Sequence, residues 1–209
     1  MIERPTREYV EELLRLRGWP IHYPAIVGLR DDSVPLDAWE EWLCVLTESG
    51  FACTAGTTNP GAAPMEGTGN ISTHPRGAAR VSEGWYRDVF YPGYHGKGGS
   101  NQAHPCWRQC DGQYGTRSRP VLVERHRDGV WWPMTSAVVG PFNFHRARST
   151  GLAGAVGDYS HGCIVARSLP DHWNMCLLLG YPEHGPTADQ QATMRASLYI
   201  LDITPSSVG

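Results

Sequence analysis

Tyr9, Val10, Leu13 and Leu14 are separated by Glu and Arg residues and repeat at the three-and-four spacing of one helical face. Thr6 stands where a hydroxyl can cap the first turn, and Gly18 with Pro20 stops the pattern. Residues 1–24 therefore predict a helix docked on a domain that begins at residue 25. From there the period changes to that of strands. Residues 25–29, 42–47 and 51–55 are apolar or alternating runs, the last two joined by a Glu-Ser-Gly turn that fits a hairpin. Residues 84–90, 120–126, 130–132, 136–139, 142–146, 162–165 and 198–203 continue the series, with Asp128-Gly129 as a second hairpin turn. Two helices are predicted, near 169–179 and near 188–197. Residues 56–79, rich in Gly, Pro, Thr and Ser, and residues 92–118 carry no period and read as long ordered loops, which in a compact domain usually serve function. The fold class is α+β, mainly β, with 25–209 as one domain.

Composition narrows the partners. Lys plus Arg number 18 against 21 Asp plus Glu, a net charge of −3, and Lys97 is the sole lysine. A chain without a basic stripe lacks what displaces counterions from phosphates, which argues against nucleic acid. No apolar run approaches the roughly 18–20 residues that cross a bilayer, so no membrane insertion is expected. Charges from Glu3 to Arg17 leave no room for the apolar core of a secretory signal, and synthesis into the cytoplasm is the expectation. The 24 Gly and 16 Pro predict many turns. Six cysteines are too few for a disulfide scaffold; Cys44, Cys53 and Cys176 lie in apolar stretches and read as core. Most of the eight Trp read as core too, with Trp131 and Trp132 on opposite faces of one strand. Asp31-Asp32 and Glu40-Glu41 read as solvated surface charge.

The candidate chemistry lies in one segment. His145 is followed, after 14 residues, by Ser160-His161-Gly162-Cys163 and the apolar Ile164-Val165. A thiol attacks as thiolate, and an imidazole on a neighbouring strand can accept its proton. A carbonyl beside that histidine, such as that of Arg146, can hold the other ring nitrogen. Gly162 permits the close backbone approach that an oxyanion hole of amide N–H groups requires. A second cluster, His95, His104, Cys106 and Cys110, spans 16 residues and leaves three readings open: a zinc set, a Cys106–Cys110 disulfide, or loop residues. His95, in Tyr94-His95-Gly96-Lys97, can alternatively face an anionic peptide substrate.

The spacing and the four residues of Ser160-His161-Gly162-Cys163 resemble the L,D-transpeptidase catalytic domain of the YkuD type. Residues Ile26-Val27-Gly28-Leu29-Arg30, Thr57-Thr58-Asn59-Pro60-Gly61, Gly84-Trp85-Tyr86 and Asn143-Phe144-His145-Arg146 extend the likeness to phage and prophage proteins that share this domain. The resemblance implies an L,D-transpeptidase-like β-sandwich and a cysteine enzyme acting on peptidoglycan stem peptides. In it Cys163 is the nucleophile, His145 the base and the Arg146 carbonyl the third member. His161 lines the site, and Gly162 and Cys163 supply the oxyanion hole; beside these, Ser160, Tyr94, His95 and Arg167 are read from this sequence as candidate substrate contacts. Many members carry arginine two residues after the cysteine, where this chain has Val165; Arg167 lies two further on. Neither a cofactor nor a metal is implied. With no export signal, a phage setting is expected, with holin-dependent release or a place in the virion.

Overall fold

The computed structural model describes residues 3–35, 37–62, 78–96, 103–109, 119–127, 129–140, 142–148 and 150–203. Its strands in chain order are β1 (Ala25–Arg30), β2 (Glu41–Leu46), β3 (Phe51–Thr57), β4 (Ala79–Val81), β5 (Gly84–His95), β6 (His104–Arg108), β7 (Val123–Arg127), β8 (Val130–Pro133), β9 (Phe144–Arg146), β10 (Ile164–Ala166) and β11 (Ala196–Asp202). Helices α1 (Arg7–Leu16), α2 (Leu169–Leu178) and α3 (Ala188–Thr193) complete the set. The molecule is mainly β, of the α+β class. Where a sandwich stacks two open sheets, here the larger sheet closes into a barrel in the order β1-β11-β5-β6-β9-β10-β3-β2, and β4-β7-β8 form a small second sheet.

Strand alternation sorts most of the barrel residues into two cores, with Val165 in a smaller third. One unites Ile26, Leu43, Val45, Trp107, Phe144, Ile164, Leu198 and Ile200 and extends to Met175 and Cys176 of α2. The opposite faces of β1, β2 and β11, with Val27, Leu29, Cys44, Tyr199 and Leu201, pack under Val10 and Leu14 of α1. Thr6 caps that helix by accepting from the Tyr9 N–H at 3.3 Å. Cys44 and Cys53 are register partners on the β2–β3 hairpin, their sulfurs 2.9 Å apart.

Several elements differ from the sequence reading. β5 runs on to His95, and β6 lies inside the expected loop 92–118; Pro92 and Pro105, which argue against strand, are taken into the ladder opposite Trp107 and Tyr94. The expected strand 136–139 is reduced to a bridge between Val121 and Val138. Helix α3 stops at Thr193, because Ala196 already begins the strand that pairs in parallel with β1. Within the expected loop 56–79 the structure describes 56–62 and the start of β4; residues 63–77, like Asp128 of the second hairpin turn, lie outside the described residues.

The charge assignments also change. Glu41 is 3% exposed and Asp31 is buried, so neither is solvated surface charge. Trp132 is exposed, whereas Trp131 lies under Arg80, whose guanidinium carbon is 4.2 Å from the ring centre.

Candidate active site

Three adjacent barrel strands and the residue that leads into a fourth put one chemistry-bearing side chain each on a common face. In the ladder His95 of β5 is opposite His104 of β6, and Trp107 of β6 is opposite Phe144 of β9. Counting outward from those pairs, His95, His104 and His145 share one side of the sheet. On β10, Val165 is the register partner of His145, and Ile164 N–H donates to the Asn143 carbonyl at 2.9 Å, carrying the ladder one step earlier. Cys163, two residues before Val165, thus occupies the same face on the diagonal from His145. Burial bears out the alternation: Cys163 and Val165 pack with Trp39, Ala153 and Val156, while Ile164 and Ala166 belong to the barrel core. Cys163 is 8% exposed and His145 3%.

The protonation of His145 follows from its partners. Nδ1 lies 2.9 Å from the Arg146 carbonyl. A carbonyl only accepts, so Nδ1 carries the proton and Nε2, buried and without a hydrogen-bond partner, holds the free lone pair. The His95 ring stacks on His145 with centroids 3.9 Å apart and planes at 6°, and His104 stands 5.8 Å away. Asn143 Nδ2 donates to His95 Nδ1 at 3.3 Å. Burial, then the neighbouring His95 and His104, hold His145 well below the ordinary histidine range, against the opposing pull of the Arg146 carbonyl. His95 is lowered by burial and by Arg108 and Arg146. This surrounding favours a neutral base over a standing imidazolium.

Cys163 leaves a turn shaped by glycine and serine. Gly162 adopts φ +114°, and a Cβ there would stand 2.2 Å from the Ala79 carbonyl oxygen. Ser160 is fully buried; its hydroxyl donates to the Cys163 carbonyl at 2.9 Å and accepts from the Gly162 N–H at 3.2 Å. Two expectations change here. The substrate contact expected of Ser160 does not fit a hydroxyl buried in and satisfied by its own turn. The Gly162 N–H expected in the oxyanion hole is already engaged by that hydroxyl.

The remaining expected residues divide. His95 joins the row, and His161 is half-buried in the turn before Gly162. Tyr94, next to His95 on the strand, faces the other way; its hydroxyl is where a Cβ on Gly185 would fall, 2.1 Å off. Arg167 Nε donates to the Ala153 carbonyl at 2.9 Å, so that guanidinium ties down the segment covering Cys163. His104 and Cys106 lie on β6, and Cys110, needed for the expected disulfide or zinc set, lies outside the described residues. Among the described residues, no group of three or more His, Cys, Asp or Glu could hold a metal ion. His172 on α2 escaped notice in the sequence: it is buried, 5.0 Å from the Phe144 ring, with Cys176 sulfur 3.5 Å from its Nε2.

Burial above all drives the pKa of His172 down to about 3. Unfolding exposes it to its ordinary value near 6.5. Between those values the unfolded chain binds a proton that the folded chain refuses. Stability is therefore full above about pH 6.5 and falls by ~1.4 kcal/mol per pH unit on acidification toward the folded value. Melting followed from neutral to acid pH should show His172→Leu losing this share of the decline; an unchanged slope would refute it.

The chain matches no protein-family model, no curated protein and no solved structure.

Proposed function

We propose that this protein is a cysteine acyl-transfer enzyme acting on stem peptides of bacterial peptidoglycan, at the amide after the L-centre of diaminopimelate. The supporting observation is the Arg146 carbonyl on His145 Nδ1, which leaves a bare Nε2 on the sheet face shared with Cys163. In this reading Nε2 takes the thiol proton as sulfur attacks the amide carbon. The carbon–nitrogen bond then breaks, the proton passes to the departing amine, and a thioester remains on Cys163. Water completes a hydrolysis; a second amine completes a cross-link.

Intact-protein mass tests this after incubation with a tetrapeptide-stem muropeptide and, separately, with a carbapenem, whose strained lactam acylates thiols of this class. Wild type should gain an adduct that Cys163→Ala lacks, and the muropeptide should be shortened. Adding an amine acceptor separates the routes: capture of the acyl group means transfer, its release as free acid means hydrolysis. If neither compound modifies wild type, the reading falls, and a catalytically silent wall-binding or virion protein becomes the account to test.

A further inference from the structure

Glu41 opens β2 on the face of Leu43 and Val45, two residues of the barrel core. Its carboxylate accepts from the Thr58 N–H, from Thr58 Oγ1 at 2.7 Å and from Asn59 Nδ2. Arg30 of β1 and Arg80 of β4 flank it, each already paired: Arg30 with Asp202 at 2.6 Å, Arg80 with Asp32 and Glu124, both at 2.6 Å. Arg80 Nη1 also donates to Asn59 Oδ1 at 3.1 Å, so both ends of that amide are held. The acyl-transfer scheme makes no use of this carboxylate.

The segment it grips leads to the nucleophile. Two residues past Asn59, the Gly61 N–H donates to the Ser160 carbonyl at 2.9 Å. The two chains are so close that a Cβ on Gly61 would stand 1.9 Å from the Gly157 carbonyl oxygen. Ser160 then clips the turn through its bonds to the Cys163 carbonyl and the Gly162 N–H. Thr58, Asn59 and Ser160 are all buried, so water does not compete along this path.

We propose that Glu41 is a positioning residue for Cys163: its carboxylate holds residues 58–61 against Ser160 and so fixes the turn that presents the thiol to His145. This rests on the reading of Cys163 as the nucleophile. The role requires acceptor oxygens. A proton on Glu41 turns one of them into a donor facing the Thr58 and Asn59 donors, and the grip loosens. Burial raises Glu41 to about 7 in spite of Thr58, Arg30 and Arg80, while His145 lies well below its ordinary range. An acid limb near neutrality is ordinarily assigned to a catalytic histidine; in this protein it belongs to Glu41.

The test is the rate of Cys163 acetylation by p-nitrophenyl acetate, read from the mass of the Cys163 peptide across the acid-to-alkaline range, in wild type and Glu41→Gln. The wild-type rate should fall through a midpoint near neutrality as pH drops. Glu41→Gln, with one accepting oxygen in place of two, should react about tenfold more slowly at mildly alkaline pH and lose that midpoint. A variant that melts cooperatively yet keeps the wild-type rate and midpoint overturns the proposal. Should the variant not fold, amide exchange on wild type decides: below neutrality the Gly61 amide should lose protection beyond its intrinsic pH dependence, and unchanged protection overturns the proposal. A muropeptide that leaves Cys163 untouched while acetylation keeps its Glu41-dependent midpoint retires the peptidoglycan reading alone. Muropeptide acylation with an indifferent Glu41→Gln retires the positioning role alone.

Discussion

Replacing His145 with Gln should slow acylation of Cys163 by about 10²–10⁴-fold, the usual worth of a positioned proton acceptor. Glutamine keeps a planar polar group beside His95 but has no lone pair able to take a thiol proton at neutral pH. The loss should appear in the acylation rate with the carbapenem, at concentrations where binding saturates. A companion measurement separates two mechanisms. A standing thiolate–imidazolium pair makes a thiol quick to alkylate in mild acid. Here burial and the flanking His95 and His104 oppose a charged His145, so iodoacetamide should modify Cys163 slowly near pH 5 and faster as pH rises. Fast, pH-independent alkylation from mild acid upward would establish the ion pair and remove general-base transfer from the scheme.

The parts of this arrangement differ in how far the chain discloses them. Short-range features were legible: Thr6 as a cap, the hairpin of β2 and β3, and His145 on a strand beside the one into which Cys163 leads. Barrel closure was not, because it depends on β1 pairing in parallel with β11, strands from opposite ends of the chain that carry no mutual local signal. Nor was the histidine row. His95 and His104 stood out as a cluster, but Pro92 and Pro105 pointed to loop, and their alignment with His145 exists only once β6 lies between β5 and β9. Glu41 had a readable clue. Extending the alternation of Leu43 and Val45 one step toward the N-terminus puts Glu41 on the core side, where an acidic residue needs donors, and Thr58 with Asn59 supplies them. Arg30 likewise continues the parity of Ile26 and Gly28 and is fully buried.

Gly162→Ala should be strongly damaging to both stability and rate, whereas Gly151→Ala should cost about 1–2 kcal/mol of stability and leave the rate alone. Both glycines have positive φ, but they differ in how well alanine tolerates that φ and in what surrounds them. Gly151 sits at φ +65°, a left-handed region that alanine enters at modest cost, with nothing within 4 Å of a new Cβ. Gly162 sits at φ +114°, outside that region, and its Cβ would meet the Ala79 carbonyl at 2.2 Å and Phe142 Cε1 at 3.1 Å. The Ala79 carbonyl belongs to β4, which is paired to β7 through Arg125 and cannot yield as the end of a flexible side chain does. Backbone strain of roughly 1–3 kcal/mol therefore adds to a displacement of the Ser160–Cys163 turn itself. A shift of about 1 Å at a reacting atom is enough to cost roughly a hundredfold in rate. Thermal melts and carbapenem acylation of both variants give the two readouts. Gly162→Ala should lose on each, and more in rate than its lower stability explains at a temperature where it remains folded. Near-wild-type acylation by a folded Gly162→Ala would mean that the turn does not set the position of the thiol, and the reading of Ser160, Gly162 and Glu41 as one positioning device would fail with it.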